Sequence, residues 1–232
     1  MPARGKLVVL EGIDGSGKRT QLDMLARAMQ ARGIAHATIG FPRYEGFFGR
    51  MAARYLNGEF GTLADVDPHF SALLYAGDRF ENKKLLENYL TAGKLVLADR
   101  YIASNLAHQG ARVPPKHLSE FLRWLEKLEY GLYALPEEDL VVHLRLPAAR
   151  AQKLVGKKRS RNYTRRRRDL QEASLAHLQS AARIFELLAR RRNWATVECI
   201  SAQKSALRPP EQIHREIMAI LDRRIFADSE EW

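Results

Sequence analysis

The chain has 232 residues, of which 46% are apolar and 28% charged, a globular rather than a disordered composition. Apolar runs are short, as in Leu7-Val8-Val9-Leu10, so a membrane-spanning helix is not expected, and Glu11 closes the first run too early for a secretory leader. The single Cys199 excludes an intrachain disulfide framework and fits a reducing compartment, so the expected location is cytoplasmic. With 38 Lys+Arg against 27 Asp+Glu the formal charge is +11. Eight cations fall in twelve residues without an acid: Lys157, Lys158, Arg159, Arg161, Arg165, Arg166, Arg167 and Arg168. Eleven less those eight leaves +3 for everything else. Such a run suits a solvated face, a nucleic-acid patch or a clamp on a small polyanion, and charge alone does not choose among them.

In chain order, Lys6–Glu11 reads as a buried strand and Thr20–Arg32 as an amphipathic helix ended by Gly33. Ala37–Phe41 is a short strand stopped by Pro42, and Phe47–Asn57 is helical. A long helical pattern from about Asp67 to Thr91 closes at Gly93. Lys94–Asp99 reads as a strand, His117–Glu129 as a helix, Leu140–Leu146 as a strand and Leu170–Arg192 as a long helix. Trp194–Ile200 and Pro210–Arg224 are the last strand and helix, and the tail Asp228–Trp232 is expected to fray. Strands separated by helices predict a parallel sheet covered on both faces. Neither an internal repeat nor a linker is evident, which predicts one domain over 1–232.

Directly after the first strand comes Gly12-Ile13-Asp14-Gly15-Ser16-Gly17-Lys18-Arg19-Thr20. A Gly-x4-Gly-Lys loop between strand and helix turns backbone N–H groups inward against a helix N-terminus, which receives a phosphate chain, and Lys18 reaches the terminal phosphates. The pattern calls for Ser or Thr after the lysine to hold Mg²⁺, but Arg19 stands there, so Thr20 or a bridging water must supply that oxygen. At the end of the third strand, Asp99-Arg100 should face this loop, because ligands of parallel sheets bind at the carboxyl ends of the strands. An acid there can hold Mg²⁺ or its waters, and an arginine can neutralise a transferring phosphoryl group.

These residues, with Phe41-Pro42-Arg43-Tyr44 and the stretch from Asp99-Arg100-Tyr101 to His108-Gln109-Gly110, resemble the thymidylate (dTMP) kinase family over about Lys6 to Ile200. The fold implied is a P-loop NTPase-type three-layer α/β/α with a five-stranded parallel sheet and a LID at about 156–168. The activity implied is phosphorylation of dTMP to dTDP by ATP with Mg²⁺, in a homodimer to which Asp67–Thr91 contributes. The resemblance further implies site roles. Asp14 receives the 3′-hydroxyl, Arg43 grips the acceptor phosphate beside Phe41 and Tyr44, and Tyr75 stacks on the base. Arg79, which only donates hydrogen bonds, suits the O4 acceptor of thymine and disfavours the amino group of cytosine; its other use would be pairing with Glu81 or Asp78. Ser104 and Asn105 contact the base edge, with Gln109 nearby. His108 stands where many members carry Tyr or Phe under the deoxyribose. Because Gly15 follows Asp14, the catalytic arginine should come from the LID, with Arg159, Arg161 and Arg165 as candidates. Tyr163 matches an aromatic of related members, and Thr164 falls where some are acidic. Two other readings remain: another nucleoside monophosphate or deoxynucleoside kinase, and a nucleic-acid-binding P-loop NTPase.

Overall fold

The computed structural model describes residues 4–155, 171, 174–201 and 206–227. The expectations placed on 156–170, including the LID arginines Arg159, Arg161 and Arg165 with Tyr163 and Thr164, lie outside the described residues, as does the tail 228–232. Five strands form one sheet: β1 (Leu7–Glu11), β2 (His36–Gly40), β3 (Leu95–Asp99), β4 (Leu140–Arg145) and β5 (Trp194–Glu198). Their spatial order is β2-β3-β1-β4-β5, and every pairing is parallel. All five residues of β1 are buried. This is the expected character of a central parallel strand covered on both faces, which reads as a continuous apolar run and not as an alternation.

The helices are α1 (Lys18–Ala31), α2 (Phe47–Leu56), α3 (Pro68–Glu81), α4 (Lys83–Thr91), α5 (Ile102–Gly110), α6 (Pro115–Glu126), α7 (Ala148–Val155), α8 (Leu175–Leu188) and α9 (Pro210–Arg224). A π-helical turn, Lys127–Leu132, continues α6. Three sequence expectations need correction. The pattern over Asp67–Thr91 is two helices, divided at Asn82, whose side-chain Nδ2 donates to the Asp78 carbonyl at 2.8 Å. That bond competes with the regular ladder, the usual behaviour of asparagine inside a helical pattern. Helix α5 escaped the periodicity because all nine of its residues are buried, and a helix with no wet face has no amphipathic stripe to detect. Helix α8 starts at Leu175, after a break at Ser174, whose side chain accepts from the His177 N–H; position 170 lies outside the described residues.

The sheet register positions the site. Leu10 of β1 pairs with Asp99 of β3, and the Arg100 N–H donates to the Leu10 carbonyl at 3.1 Å. Gly40 of β2 pairs with Asp99, and the Phe41 N–H donates to the Asp99 carbonyl at 3.1 Å. The phosphate-loop start, the Asp99-Arg100 pair and the Phe41–Tyr44 segment therefore emerge side by side from three neighbouring strand ends.

Candidate active site

The loop after β1 is shaped by glycines that cannot be replaced in place. Gly12 has φ +140°, and a Cβ there would lie 2.7 Å from the Leu144 carbonyl oxygen. Gly15 has φ +92°, and its Cβ would meet the Ala151 carbonyl oxygen of α7 at 2.5 Å. Both the conformation and the contact exclude a side chain. Lys18 is buried, and its ammonium donates to the carbonyls of Gly12 at 2.7 Å and Ile13 at 3.0 Å, tying the helix start to the loop. Burial first, and then the neighbouring Arg100 charge, lower its pKa to about 8, against the pull of Asp14, Asp99 and Glu11. Arg19, by contrast, is exposed and pairs with Asp23 one turn along α1, so it neither enters the loop nor blocks it. Thr20 is also on the exposed side of α1. Behind the loop the buried Cys199 thiol faces the Ser16 carbonyl at 3.7 Å, and burial pushes it up to about 12, so it is an inert hydrophobe.

Arg100 is the junction of the site. It sits at φ +68°, a left-handed conformation that strains a non-glycine residue. Its guanidinium donates to Asp14 Oδ1 at 2.5 Å and to Ser104 Oγ at 2.9 Å, and faces His108 Nε2 at 3.4 Å. Burial alone would lower its pKa, but the carboxylates of Asp14, Asp99 and Glu11 more than offset that and raise it. Asp99 Oδ1 is buried and accepts no hydrogen bond among the described residues. No group of three or more His, Cys, Asp or Glu side chains gathers to hold a metal among the described residues. One unpartnered carboxylate oxygen beside a phosphate loop fits Mg²⁺, which is commonly held by one or two carboxylates together with substrate phosphates.

Glu11, which the sequence marked only as the end of an apolar run, holds this junction from below. It is fully buried; its Oε1 accepts from the N–H groups of Tyr101 at 2.8 Å and Ser104 at 3.0 Å, and its Oε2 from the Ser104 hydroxyl at 2.6 Å. A carboxylate from β1 thus caps the N-terminus of α5, satisfying donors that a helix start leaves open. Desolvation raises its pKa, against the lowering by Ser104, Arg100, Tyr101 and Lys18.

A cleft opens beside Arg100, lined by Asp14, Phe41, Tyr44, Tyr75, Arg79, Ser104, Asn105, His108 and Gln109, and also by Gln171. The structure thus brings together all the expected substrate residues except Arg43, which lies on the loop at its edge. There the Arg43 N–H donates to both oxygens of Asp78 at 3.0 Å. Burial pushes the Asp78 carboxyl up to about 7, partly opposed by that bond and by Arg79. Arg79 pairs with neither Asp78 nor Glu81 by hydrogen bond. It makes a two-point bond to the buried Glu129, Nε to Oε2 at 2.5 Å and Nη2 to Oε1 at 2.6 Å. The Ser104 hydroxyl donates to Glu11 Oε2 and accepts from Arg100 at the cleft wall. The Gln109 carbonyl accepts from Ser71 Oγ and Arg112, which places it in the wall. His108 is buried, its Nδ1 facing His177 Nε2 of α8 at 3.4 Å. Desolvation, followed by the Arg100 charge, holds it well below the usual histidine range.

The family model described as thymidylate kinase matches residues 10–217. The chain belongs to the thymidylate kinase family. A thymidylate kinase of Mycobacterium tuberculosis is 34% identical over 168 residues, covering 68% of this chain and 78% of that relative. The human thymidylate kinase is 35% identical over 150 residues, 65% of each chain. A probable thymidylate kinase of Thermococcus kodakarensis is 33% identical over 224 residues, 93% of this chain and 96% of the relative. The solved thymidylate kinase of Candida albicans superposes with a TM-score of 0.76 over 96% of this chain and 93% of its own; at 21% identity that likeness concerns the fold.

Proposed function

We propose that the chain transfers the γ-phosphoryl group of ATP to dTMP, giving dTDP and ADP. One observation carries this reading: Arg100 is bonded to Asp14 of the phosphate loop and also lines the cleft with Tyr75, Arg79 and Asn105, so one cation spans donor and acceptor sites. The backbone of Gly12–Gly17 and the Lys18 ammonium receive the triphosphate, with Ser16 and Ile13 as part of the same cradle. Tyr75 stacks on the base, Arg79 donates to O4, Asp14 receives the 3′-hydroxyl, and Arg43 takes the acceptor phosphate beside Phe41 and Tyr44. Asp99 would hold Mg²⁺ directly or through its waters, and the ion neutralises phosphate charge when bound. The work of Lys18, Arg100 and one of Arg159, Arg161 or Arg165 is to hold the reacting oxygens in line and share the charge that develops there; no covalent intermediate is needed. A LID drawn from 156–168 would exclude water and suppress hydrolysis of ATP.

The chain is also proposed to act as a homodimer in the cytoplasm, without membrane or nucleic-acid partners. Phe70, Leu73 and Phe80 of α3 are 48%, 38% and 50% exposed along one helix face, next to Phe47 of α2 at 57%. Large apolar side chains grouped this way mark an interaction surface, and self-association is the commonest use of one. No described helix is long and apolar enough to cross a membrane. A coupled assay offering dTMP, dUMP, dCMP, UMP and thymidine tests the reaction, and faster turnover of thymidine than of dTMP overturns it. Sedimentation at micromolar concentration tests the dimer. Filter binding of DNA and RNA at two salt concentrations tests the nucleic-acid alternative.

A further inference from the structure

We infer that Glu129 is a specificity-determining positioning residue: from outside the base-contacting set it fixes which way the hydrogen-bonding groups of Arg79 and Asn105 face. The inference rests on the dTMP reading and adds to it a residue that no local motif marks. Glu129 lies in the π-helical turn Lys127–Leu132 and is fully buried. Its carboxylate takes the Nε and Nη2 donors of Arg79 and, on Oε1, the Asn105 Nδ2 at 2.9 Å. The same Nδ2 donates to the Ala72 carbonyl at 3.0 Å.

The two partners of the Asn105 amide, a carboxylate and a carbonyl, can only accept, so the amide nitrogen must face them. Its oxygen is turned away, and Oδ1 is buried with no hydrogen-bond donor among the described residues. Asn105 and Arg79 both line the cleft, and Nη1 of Arg79 takes no part in the two-point bond. Glu129 therefore leaves the Asn105 amide with its acceptor (Oδ1) unpaired and Arg79 with a donor (Nη1) outside the two-point bond, on two residues that both line the cleft. Thymine offers the complement, with N3–H as donor and O4 as acceptor. Cytosine offers N3 as acceptor and N4–H₂ as donor, and so mismatches at both points. The carboxylate does this without touching the base, since an acceptor-only group can hold two donor-bearing side chains in a single orientation. An amide in its place could still accept at the Oε1 position, but its NH₂ would then face the Nε donor of Arg79 and release that side chain from its fixed orientation.

The test is Glu129→Gln, which keeps shape but turns one acceptor into a donor. The kcat/KM ratio of dTMP to dCMP should fall about tenfold or more, mainly through a higher KM for dTMP, while the KM for ATP stays within twofold. A purely structural role would lower turnover for both monophosphates alike, and a ratio kept within twofold overturns the inference. Glu129→Asp, which keeps an acceptor-only group, should retain most of the ratio. If Glu129→Gln does not fold, Asn105→Thr leaves the Arg79–Glu129 pair in place and removes only the amide that it orients. Retention of the ratio in that variant overturns the inference, and its loss together with a ratio kept by Glu129→Asp upholds it. Failure of the dTMP reading itself is seen separately, as a wild-type enzyme that does not prefer dTMP over dCMP or thymidine.

Discussion

Replacing Glu11 with glutamine should damage catalysis while leaving the fold intact. The amide keeps an oxygen for the N–H groups of Tyr101 and Ser104, but it puts an NH₂ where Oε2 now accepts from the Ser104 hydroxyl at 2.6 Å. That hydroxyl then loses a charge-assisted bond, worth about 1.5–3 kcal/mol. It must also rotate, and the same Ser104 oxygen accepts from Arg100 at 2.9 Å. Arg100 is already held at φ +68° against a local cost of about 1–2 kcal/mol, so the loss of one restraint falls on a strained residue. If most of the lost bond energy appears as misplacement of the guanidinium, kcat for dTMP should drop about 10–100-fold, equivalent to roughly 1.4–2.8 kcal/mol. Stability should move the other way or not at all. Burial raises the Glu11 pKa, so an amide that cannot ionise avoids that desolvation cost. The paired measurement is kcat at saturating substrates beside a thermal melt. A kcat within threefold of wild type with an unchanged melt refutes the reasoning, because it means the carboxyl is held there as a neutral acid that glutamine reproduces.

Two further substitutions follow from the same geometry. Asp99→Asn should cut kcat about 100-fold and raise the Mg²⁺ concentration needed for half-maximal rate, since it weakens the oxygen that is buried without a donor; near-normal turnover in a Mg²⁺ titration would place the transfer site elsewhere. Glu138→Gln tests a half-buried acid away from the chemistry. Desolvation, only partly countered by the Tyr130 hydroxyl at 2.8 Å, raises Glu138 to about 7 from 4.5. The native state therefore binds that proton more tightly than the unfolded chain. The resulting stabilisation is full below pH 4.5 and is lost as pH rises through 7, at most about 3 kcal/mol. The melting temperature of the variant minus that of wild type should become more positive from pH 5 to pH 8, and a flat difference refutes the assignment.

The parts of the site that were legible in the sequence are those whose chemistry is local. Gly12–Lys18 announces itself because the glycines, the lysine and the strand before them are contiguous, and Asp99-Arg100 because it ends an apolar strand. What the sequence hid depends on contacts made only in the fold. Glu11 meets Tyr101 and Ser104 across 90 and 93 residues, and Glu129 meets Arg79 across 50. Ser104 and Asn105 look interchangeable as adjacent polar residues. Both line the cleft, but one helical step turns the first toward Glu11 and Arg100 and the second toward Glu129. Helix α5 was hidden for a related reason: its complete burial, which makes it the common wall of the site, also erased its period.

The charge of the chain takes on a division of labour from this arrangement. In and beside the described cleft stand the cations Lys18, Arg43, Arg79 and Arg100, set against Glu11, Asp14, Asp78, Asp99 and Glu129. Two of the four cations are paired, Arg79 with Glu129 and Arg100 with Asp14. Such pairing aims donors but leaves little net positive charge for two phosphate-bearing reactants. The surplus sits in the eight cations of 157–168, outside the described residues, which gives that run a rationale broader than a single catalytic arginine. The two sets should respond differently to salt. Solvated charges are screened with a Debye length of about 10 Å at 0.1 M and about 3 Å at 1 M, whereas buried pairs are screened much less. Raising KCl from 50 to 500 mM, both chosen assay conditions, should therefore raise the KM for ATP about tenfold while the dTMP-to-dCMP ratio stays within twofold. A ratio that collapses along with ATP affinity would mean that base selection draws on the same salt-sensitive charge, and that the buried Arg79–Glu129 pair does not set it.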